Sequence, residues 1–526
     1  HLYPVRFVFR DEQGISDSLS FLTGIRQMSY DTSGRKLKIL VNGVRITPRG
    51  GNWGFSESML RYRGREYDIA VRYHRDMHFT MIRNWVGMTG DDEFWEACDR
   101  YGILVWQDFW LANPWDGPDP DDDPMFLENA RDLVLHVRNH PSIALYCGRN
   151  EGDPPPILDR GLRHLVKENH PGLLYIPNSA DDVVSGHGPY RAMPIKYYFA
   201  ERATRTLHSE MGMPNMMTRE SLESTIPDSA LWPQGRMWGI HDFCARGAQS
   251  AISFNRLVKE KYGGAEDPDG WLRLAQFVNY DGYRAMFEAQ SRHRMGLLLW
   301  MSHSAWPSLV WQTYDYYFEP TAAYFGSKKA CEPVHIQWNA LTDSIEVINY
   351  SGRSHHALTA RILFYDLHGR LTSSQEKRVD LPVDTVVRPF SVAWTSGNTN
   401  LRFLRLLLLK EEKVVSRNFY LQGREEDDLR AIRDLGKATV EAVTDRHRAD
   451  GTWTLTTTLT NTSGTPALMV RVKVVRERSG DRILPVLYSD NYIALMPGES
   501  RTLIMHFAEA DCRGEKPKVV VEGFNL

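Results

Sequence analysis

The stretch "IALYCGRNEGDPPP", Ile143–Pro156, runs apolar through Tyr146 and then sets Arg149, Asn150 and Glu151 together ahead of three prolines. A short apolar run that ends on a carboxylate, and that proline forbids to continue, reads as a buried strand delivering polar groups at its carboxyl end. The same texture recurs on both sides of it. From Asn42 onward, short apolar runs give way to polar or aromatic residues: "VRITPRGGNW", "HFTMIRNW", "GILVWQDFW", "IALYCGRNE", "LLYIPNSA", "VVSGHGPY", "TLHSEMG" and "GLLLWMSHS". Between several of them lie segments such as "MFLENARDLVLHVRNH" and "ILDRGLRHLVKENH", whose apolar residues recur three and four apart as on an amphipathic helix. Eight strands alternating with helices over residues 42–332 predict a (β/α)8 TIM barrel. A doubly wound open sheet would call for a glycine-rich phosphate loop after an early strand, and none follows.

The flanks read differently. Residues 1–41 alternate as short strands ("PVRFVFR", "KLKILV"), the expected end of an immunoglobulin-like β-sandwich entered part-way. After the barrel, residues 333–423 ("HIQWN", "SIEVINYS", "TARILFYDLHG") predict one all-β sandwich. Residues 424–526 predict a charged linker, "GREEDDLRAIRDLG", and a C-terminal sandwich.

Bulk properties exclude several classes of function. With 63 basic and 66 acidic residues the net charge is −3, which gives no basic face for a nucleic acid. No run approaches the ~18 apolar residues that a membrane span needs. The five cysteines show no CxxC spacing, so neither a disulfide framework nor a zinc site is expected, and no other motif calls for a cofactor. Nothing in the pattern sets an oligomeric state.

In a parallel barrel the chemistry sits where strands end. Those ends carry Asn52 and Trp53, Arg83 to Trp85, Gln107 to Trp110, Asn150 and Glu151, His187 and Tyr190, His208 to Glu210, and Trp300 with His303. Taken singly each has a plain structural reading: a strand-end Glu is an ion-pair residue, Arg149 its partner, and His187, His208 or His241 a core histidine. The combination reads otherwise. Glu151 ends strand four and Glu210 ends strand seven, on opposite sides of the barrel, and two carboxyl groups a few ångströms apart can divide glycoside cleavage between them. Aromatic rings would stack on sugar faces, and Asn, Arg and His would bind hydroxyls.

These residues also resemble a known family. "LYCGRNE" is similar to the W-x-G-N-E acid/base motif of glycoside hydrolase family 2, and "LHSEMGMPNMMTRESL" to its nucleophile strand. The similarity runs from "FLTGIRQ" through "LVNGVRITPRGGNW" and "MIRNWVG" to "LLLWMSHSAWPS" and "DYYFEPTAAYFGSKK". "YSDNYIALMPGES" looks like the last sandwich of the β-mannosidase and exo-β-glucosaminidase branch. The resemblance implies a retaining, exo-acting β-glycosidase without metal or cofactor, with Glu210 as nucleophile and Glu151 as a general acid/base that stays protonated in the free enzyme. It puts the carboxyl groups ~5–5.5 Å apart. Asn150 is implied to hold the sugar 2-hydroxyl, and Asn52, Trp53, Arg83, Trp85, His187, Tyr190 and Trp300 to line the pocket for the terminal sugar.

The implied substrate is a terminal β-mannoside or β-glucosaminide of an oligo- or polysaccharide, and the implied location is periplasmic or secreted. The family also carries a jelly roll and a complete sandwich before the barrel, of which only the final part stands in residues 1–41. There are departures: Tyr146 replaces Trp, His303 and Ser304 replace Asn and Asp, and "SEMGMPN" replaces "SEFGFQS". They leave open a β-galactosidase, or a β-glucuronidase that would clamp a carboxylate with Arg149, Arg191 or Lys196. A glucosaminidase would instead use Asp153, Asp181 or Asp182. A catalytically silent carbohydrate-binding protein is the reading from a different class.

Overall fold

The computed structural model describes residues 1–526 except 201, 245–250, 393 and 395–399. It divides into two compact units, the first made of residues 1–188, 203–211 and 295–301, the second of 189–202, 212–294 and 302–526.

All eight barrel strands lie in the first unit: Arg49–Trp53, Met81–Asn84, Leu104–Asp108, Ile143–Arg149, Leu174–Asn178, Val184–Ser185, Leu207–Met211 and Leu297–Leu299. Every described ladder between them is parallel, and strand eight pairs with strand one, Leu297 opposite Arg49. The seam falls between strands five and six, where no ladder joins the described residues. Only residues 179–183 connect those two strands, too few for the dozen or so that a crossover helix requires. The expected strict alternation of strand and helix therefore lapses at this one connection.

Strands one to four are each followed by a helix, Gly64–Asp76, Asp92–Tyr101, Asp123–Val137 and Pro156–Asn169. The local chemistry explains their ends. Asp122 accepts from the Met125 N–H at the start of the third, with proline in its first turn. Gly102 closes the second at a φ of 69°. Pro156 opens the fourth, so the proline run after Glu151 serves to start a helix immediately beyond the strand end.

The amino-terminal end of the barrel is stoppered from within the first unit. A three-stranded sheet, Met28–Asp31, Lys38–Val41 and Val44–Ile46, sends Leu37 and Ile39 into a core with Met81, Trp106, Ala144, Leu145, Leu207 and Leu298. Tyr30 donates to the Ala144 carbonyl, Arg26 to those of Pro141 and Ile143, and the Leu37 N–H to that of Val183 at 2.9 Å. Each buried Leu or Ile contributes about 1.5–3 kcal/mol, so this end is fixed by packing and the opposite end is left for polar groups.

The second unit carries the remaining helices and two β-sandwiches. In the first sandwich a three-stranded sheet (Val334–Asn339, Ser344–Asn349, Val386–Ser391) and a four-stranded one (His355–Tyr365, Leu371–Leu381, Leu401–Lys410, Lys413–Gly423) share a core that includes Ile336, Ile345, Val347, Ile362, Leu404 and Leu406. In the second, sheets of four and three strands lie between Val440 and Glu522. The long helix Pro268–Glu288 is tied to the first sandwich by Arg284, which donates to Asn418 Oδ1 at 2.9 Å, and by Glu288, which accepts from the Tyr420 hydroxyl at 2.6 Å. No helix among the described residues is long and apolar enough to cross a membrane.

Two histidines of the first unit are buried neutral. Burial pushes His74 down to about 4, against its hydrogen bond to the Ala70 carbonyl. Burial does the same to His208, also to about 4, against the backbone at Gly188 and Glu210. Both fall below the ordinary value near 6.5, so between those pH values the unfolded chain binds protons that the folded chain refuses. Stability is then complete above about pH 6.5 and is lost as pH falls towards 4, at about 1.4 kcal/mol per pH unit for each histidine. Replacing His74 with Phe should flatten the fall by about one histidine's share, read from urea midpoints measured across pH 4–7.

Candidate active site

The carboxyl ends of the strands converge on a guanidinium. Arg83, at the end of strand two, is fully buried. Its Nε and Nη2 donate to Asp108 Oδ2 at 3.0 and 2.7 Å. Nη2 also donates to Asn150 Oδ1 at 2.7 Å, and Nη1 to Glu210 Oε1 at 2.7 Å. One side chain thus joins strands two, three, four and seven. A buried guanidinium is tolerated only when its charge is met and its fork is filled. Burial alone would lower the pKa of Arg83, but Asp108 and Glu210 outweigh it and hold the pKa above the ordinary arginine value. Asp108 is itself saturated, accepting from Val86 N–H at 3.0 Å and from Trp106 Nε1 at 2.8 Å.

Glu151 leaves strand four in a left-handed conformation, φ 46°. For a residue with a long side chain this costs roughly 1–3 kcal/mol and persists only where the surroundings over-determine it. They do so here. Its N–H donates to Ser179 Oγ at 3.0 Å, Oε2 accepts from Asn113 Nδ2 at 3.0 Å, and Oε1 lies 2.9 Å from His187 Nδ1. The preceding Asn150 accepts from Arg83 and donates to Asn113 Oδ1. Gly148 admits no side chain, since a Cβ there would stand 2.4 Å from the Tyr175 hydroxyl and 2.7 Å from Pro154. The proline run thereby packs back on the strand that carries Glu151.

The other residues expected at the site divide into two groups. Asn52 points inward and donates to the carbonyls of Ser209 and Leu299 at 2.7 and 2.9 Å, bracing strands seven and eight beside Glu210. Trp85 and Trp300 meet edge to face, centroids 4.9 Å apart and both half-buried, and the Trp85 indole N–H is buried with no acceptor among the described residues. His187 stays half-exposed beside Glu151. Trp53 is a correction: it is fully buried among Tyr62, Tyr67, His74 and Phe94, with Nε1 on Ser56 Oγ, and presents no face to a ligand. Side chains alternate along a strand, so Asn52 and Trp53 cannot share a face.

Tyr190 and His303 belong to the second unit, where Tyr190 lies 6.5 Å from the Trp311 ring and His303 Nδ1 lies 2.8 Å from the Tyr314 hydroxyl. Arg149 turns away from any sugar clamp, donating to the Ala112 carbonyl and to Asp119 Oδ1, both at 2.8 Å. The sequence reading missed Asp108, Asn113 and Ser179. Asp108 and Ser179 stood within quoted strand ends, but Asn113 lies in an irregular segment where no period marks it.

The exo-β-D-glucosaminidase Ig-fold domain family matches residues 418–526. A mannosylglycoprotein endo-β-mannosidase from Lilium longiflorum is 27% identical over 97% of this chain and 66% of its own length. An exo-β-D-glucosaminidase from Streptomyces avermitilis is 28% identical over 100% of this chain and 64% of its own. Among solved structures, the Amycolatopsis orientalis exo-chitosanase CsxA superposes with a TM-score of 0.90 at 26% identity, covering 100% of this chain and 68% of that one. The chain resembles the β-mannosidase and exo-β-glucosaminidase branch. A β-D-mannosidase from Dictyoglomus thermophilum, at 19% identity and a TM-score of 0.82 over 100% of this chain and 66% of that one, shares the fold. This chain spans less than two thirds of the length of the curated relatives named here.

Replacing Arg83 with Met would leave Asp108 and Glu210 buried without their counter-charge. The expected loss is about 3–5 kcal/mol of stability, read from the urea midpoint. Arg83→Met and Asp108→Asn together should cost less than the sum of the two alone.

Proposed function

We propose that the protein is a retaining, exo-acting β-glycosidase that removes terminal β-glucosaminide or β-mannoside residues from oligo- or polysaccharides. The observation that carries this is the joint placement of Glu151 and Glu210. Each sits at the end of a barrel strand, and Arg83 binds both Glu210 and the Asn150 that precedes Glu151. Similarity to enzymes named exo-β-D-glucosaminidase and endo-β-mannosidase supports the same chemistry. So do two complexes of CsxA, in which an Asp-to-Ala and a Glu-to-Ala variant each hold p-nitrophenyl-β-D-glucosamine.

In this mechanism Glu210 attacks the anomeric carbon while Glu151 protonates the departing oxygen, so one C–O bond forms as the other breaks. Water then attacks the glycosyl ester, giving its proton to Glu151 and freeing Glu210. The surroundings support an assignment of the two oxygens of Glu151. Asn113 Nδ2 can only donate, which makes Oε2 the acceptor and leaves the proton to Oε1, beside His187 Nδ1. The Arg83 guanidinium offsets the charge of Glu210 and holds its carboxylate in one orientation for attack. Trp85 and Trp300 are assigned to stack on the terminal sugar, Asn150 to hold its 2-hydroxyl.

Arg149 is engaged by Asp119 and the Ala112 carbonyl, which removes it as a clamp for a uronic acid. Of the carboxylates considered for an amine, Asp182 pairs with Arg35 at 3.7 Å, which leaves Asp153 and Asp181. We assign the protein to the periplasm or cell exterior, where such polymers are met.

A panel of nitrophenyl β-glycosides tests the reading and names the sugar; hydrolysis of none of them would refute it. Glu210→Gln should lose nearly all turnover. Glu151→Ala should keep activity on dinitrophenyl substrates and gain from added azide. Proton NMR of the first-formed product should show the β-anomer, and the α-anomer would overturn retention.

A further inference from the structure

We propose that Arg149 is a positioning residue for the acid/base: its guanidinium straps the loop of residues 109–122 onto the end of strand four and so fixes Asn113 against Glu151. The proposal rests on the glycosidase reading above.

The loop joins strand three to the helix Asp123–Val137 and has no regular structure of its own, so its position depends on what it touches. Arg149 is buried, with 4% of its surface exposed. It grips the loop at two points seven residues apart, Ala112 through Nε and Asp119 through Nη1. Between these points the loop meets the acid. Asn113 Nδ2 donates to Glu151 Oε2 at 3.0 Å, and Asn113 Oδ1 accepts from Asn150. The Asn113 carbonyl is tied back within the loop by the N–H groups of Asp116 and Gly117, at 3.0 and 3.3 Å.

On its other side the loop lies directly on the strand end. The Asn150 N–H donates to the Leu111 carbonyl at 3.0 Å, and Pro114 covers Gly152 so closely that a Cβ there would stand 2.7 Å from Pro114 Cγ. The orientation of the Asn113 amide, and with it the choice of the Glu151 oxygen that carries the proton, follows from where this loop is held. A buried guanidinium at Arg149 makes that hold stiff, because its charge is met by Asp119 alone among the described carboxylates. Asp119 is half-exposed, so the strap runs from the catalytic end of the strand out to the rim.

A residue that serves the acid betrays itself through the leaving group. Substrates whose leaving oxygen must be protonated depend on a well-placed Glu151, while dinitrophenyl glycosides do not. In Arg149→Met, kcat/KM for the natural disaccharide or a methyl glycoside should fall about tenfold to a hundredfold, the range for a displaced catalytic group. For the dinitrophenyl glycoside it should fall less than about threefold. Asp119→Ala, an exposed position expected to fold, should reproduce that signature. The double variant should be no worse than Arg149→Met, and Arg149→Lys should recover part of the loss. Equal losses on both leaving groups, or a wild-type response of Asp119→Ala, would overturn the proposal.

Hydrogen exchange separates this failure from failure of the glycosidase reading. Amides 109–122 should exchange faster in Asp119→Ala than in the wild type whatever the substrate turns out to be. Unchanged exchange there would remove the strap even if the wild-type enzyme is active.

Discussion

The guanidinium of Arg83 is the constraint on which the rest of the site depends. A cation placed at the mouth of a parallel barrel must be neutralised there, and Asp108 and Glu210 both answer to it. Once Asp108 has taken Nε and one N–H of Nη2, Glu210 Oε1 meets Nη1 and Asn150 is drawn to the second N–H of Nη2. The strand ends are therefore arranged around charge rather than around shape. The apolar core lies at the other end, where Leu37 and Ile39 close the barrel with ordinary packing. The two ends follow opposite rules, and the eight strands between them transmit rigidity from one to the other.

The second unit repeats the device on a structural scale. Arg471 and Arg482 both reach Glu319, at 2.9 and 3.0 Å, and Lys473 reaches Glu220, so the last sandwich is tied to the segment after strand eight and to the helix Arg219–Thr225. Burial alone would lower the pKa of Arg471, but Glu319 and Glu220 reverse it and raise the pKa above the ordinary arginine value. Buried pairs of this kind contribute little net stability over an apolar core, yet they accept few alternative registers. That suits a module whose work is to hold the connections following strands seven and eight in one place.

Much of this was legible from sequence because strand ends announce themselves. A run that turns from apolar to Asn, Arg or Glu marks the carboxyl end of a buried parallel strand, and Arg83, Asn150, Glu151 and Glu210 were all found by that rule. The rule fails at resolving faces. It took Asn52 and Trp53 together, although the pleat sends one into the barrel and the other into the aromatic cluster behind it. It also has no purchase on loops. Asn113, which with Ser179 holds Glu151 from two sides, lies in a segment without a period, and a hydrogen-bonding residue there looks like any other polar loop residue. Arg149 was visible and read as an ion-pair partner of Glu151 or, in a glucuronidase, a clamp, because its actual partner Asp119 lies thirty residues earlier in the chain.

The backbone of Glu151 carries one more implication. Its left-handed φ suits glycine or asparagine better than glutamate, and a shorter side chain there would relax the chain while withdrawing the carboxyl from His187 and Asn113. Under the proposed acid/base role, stability and chemistry are thus opposed at a single residue. Laboratory evolution that rewards only thermal resilience would drift towards replacing Glu151, and consensus or directed stabilisation of this scaffold has to hold that position fixed by a selection for turnover.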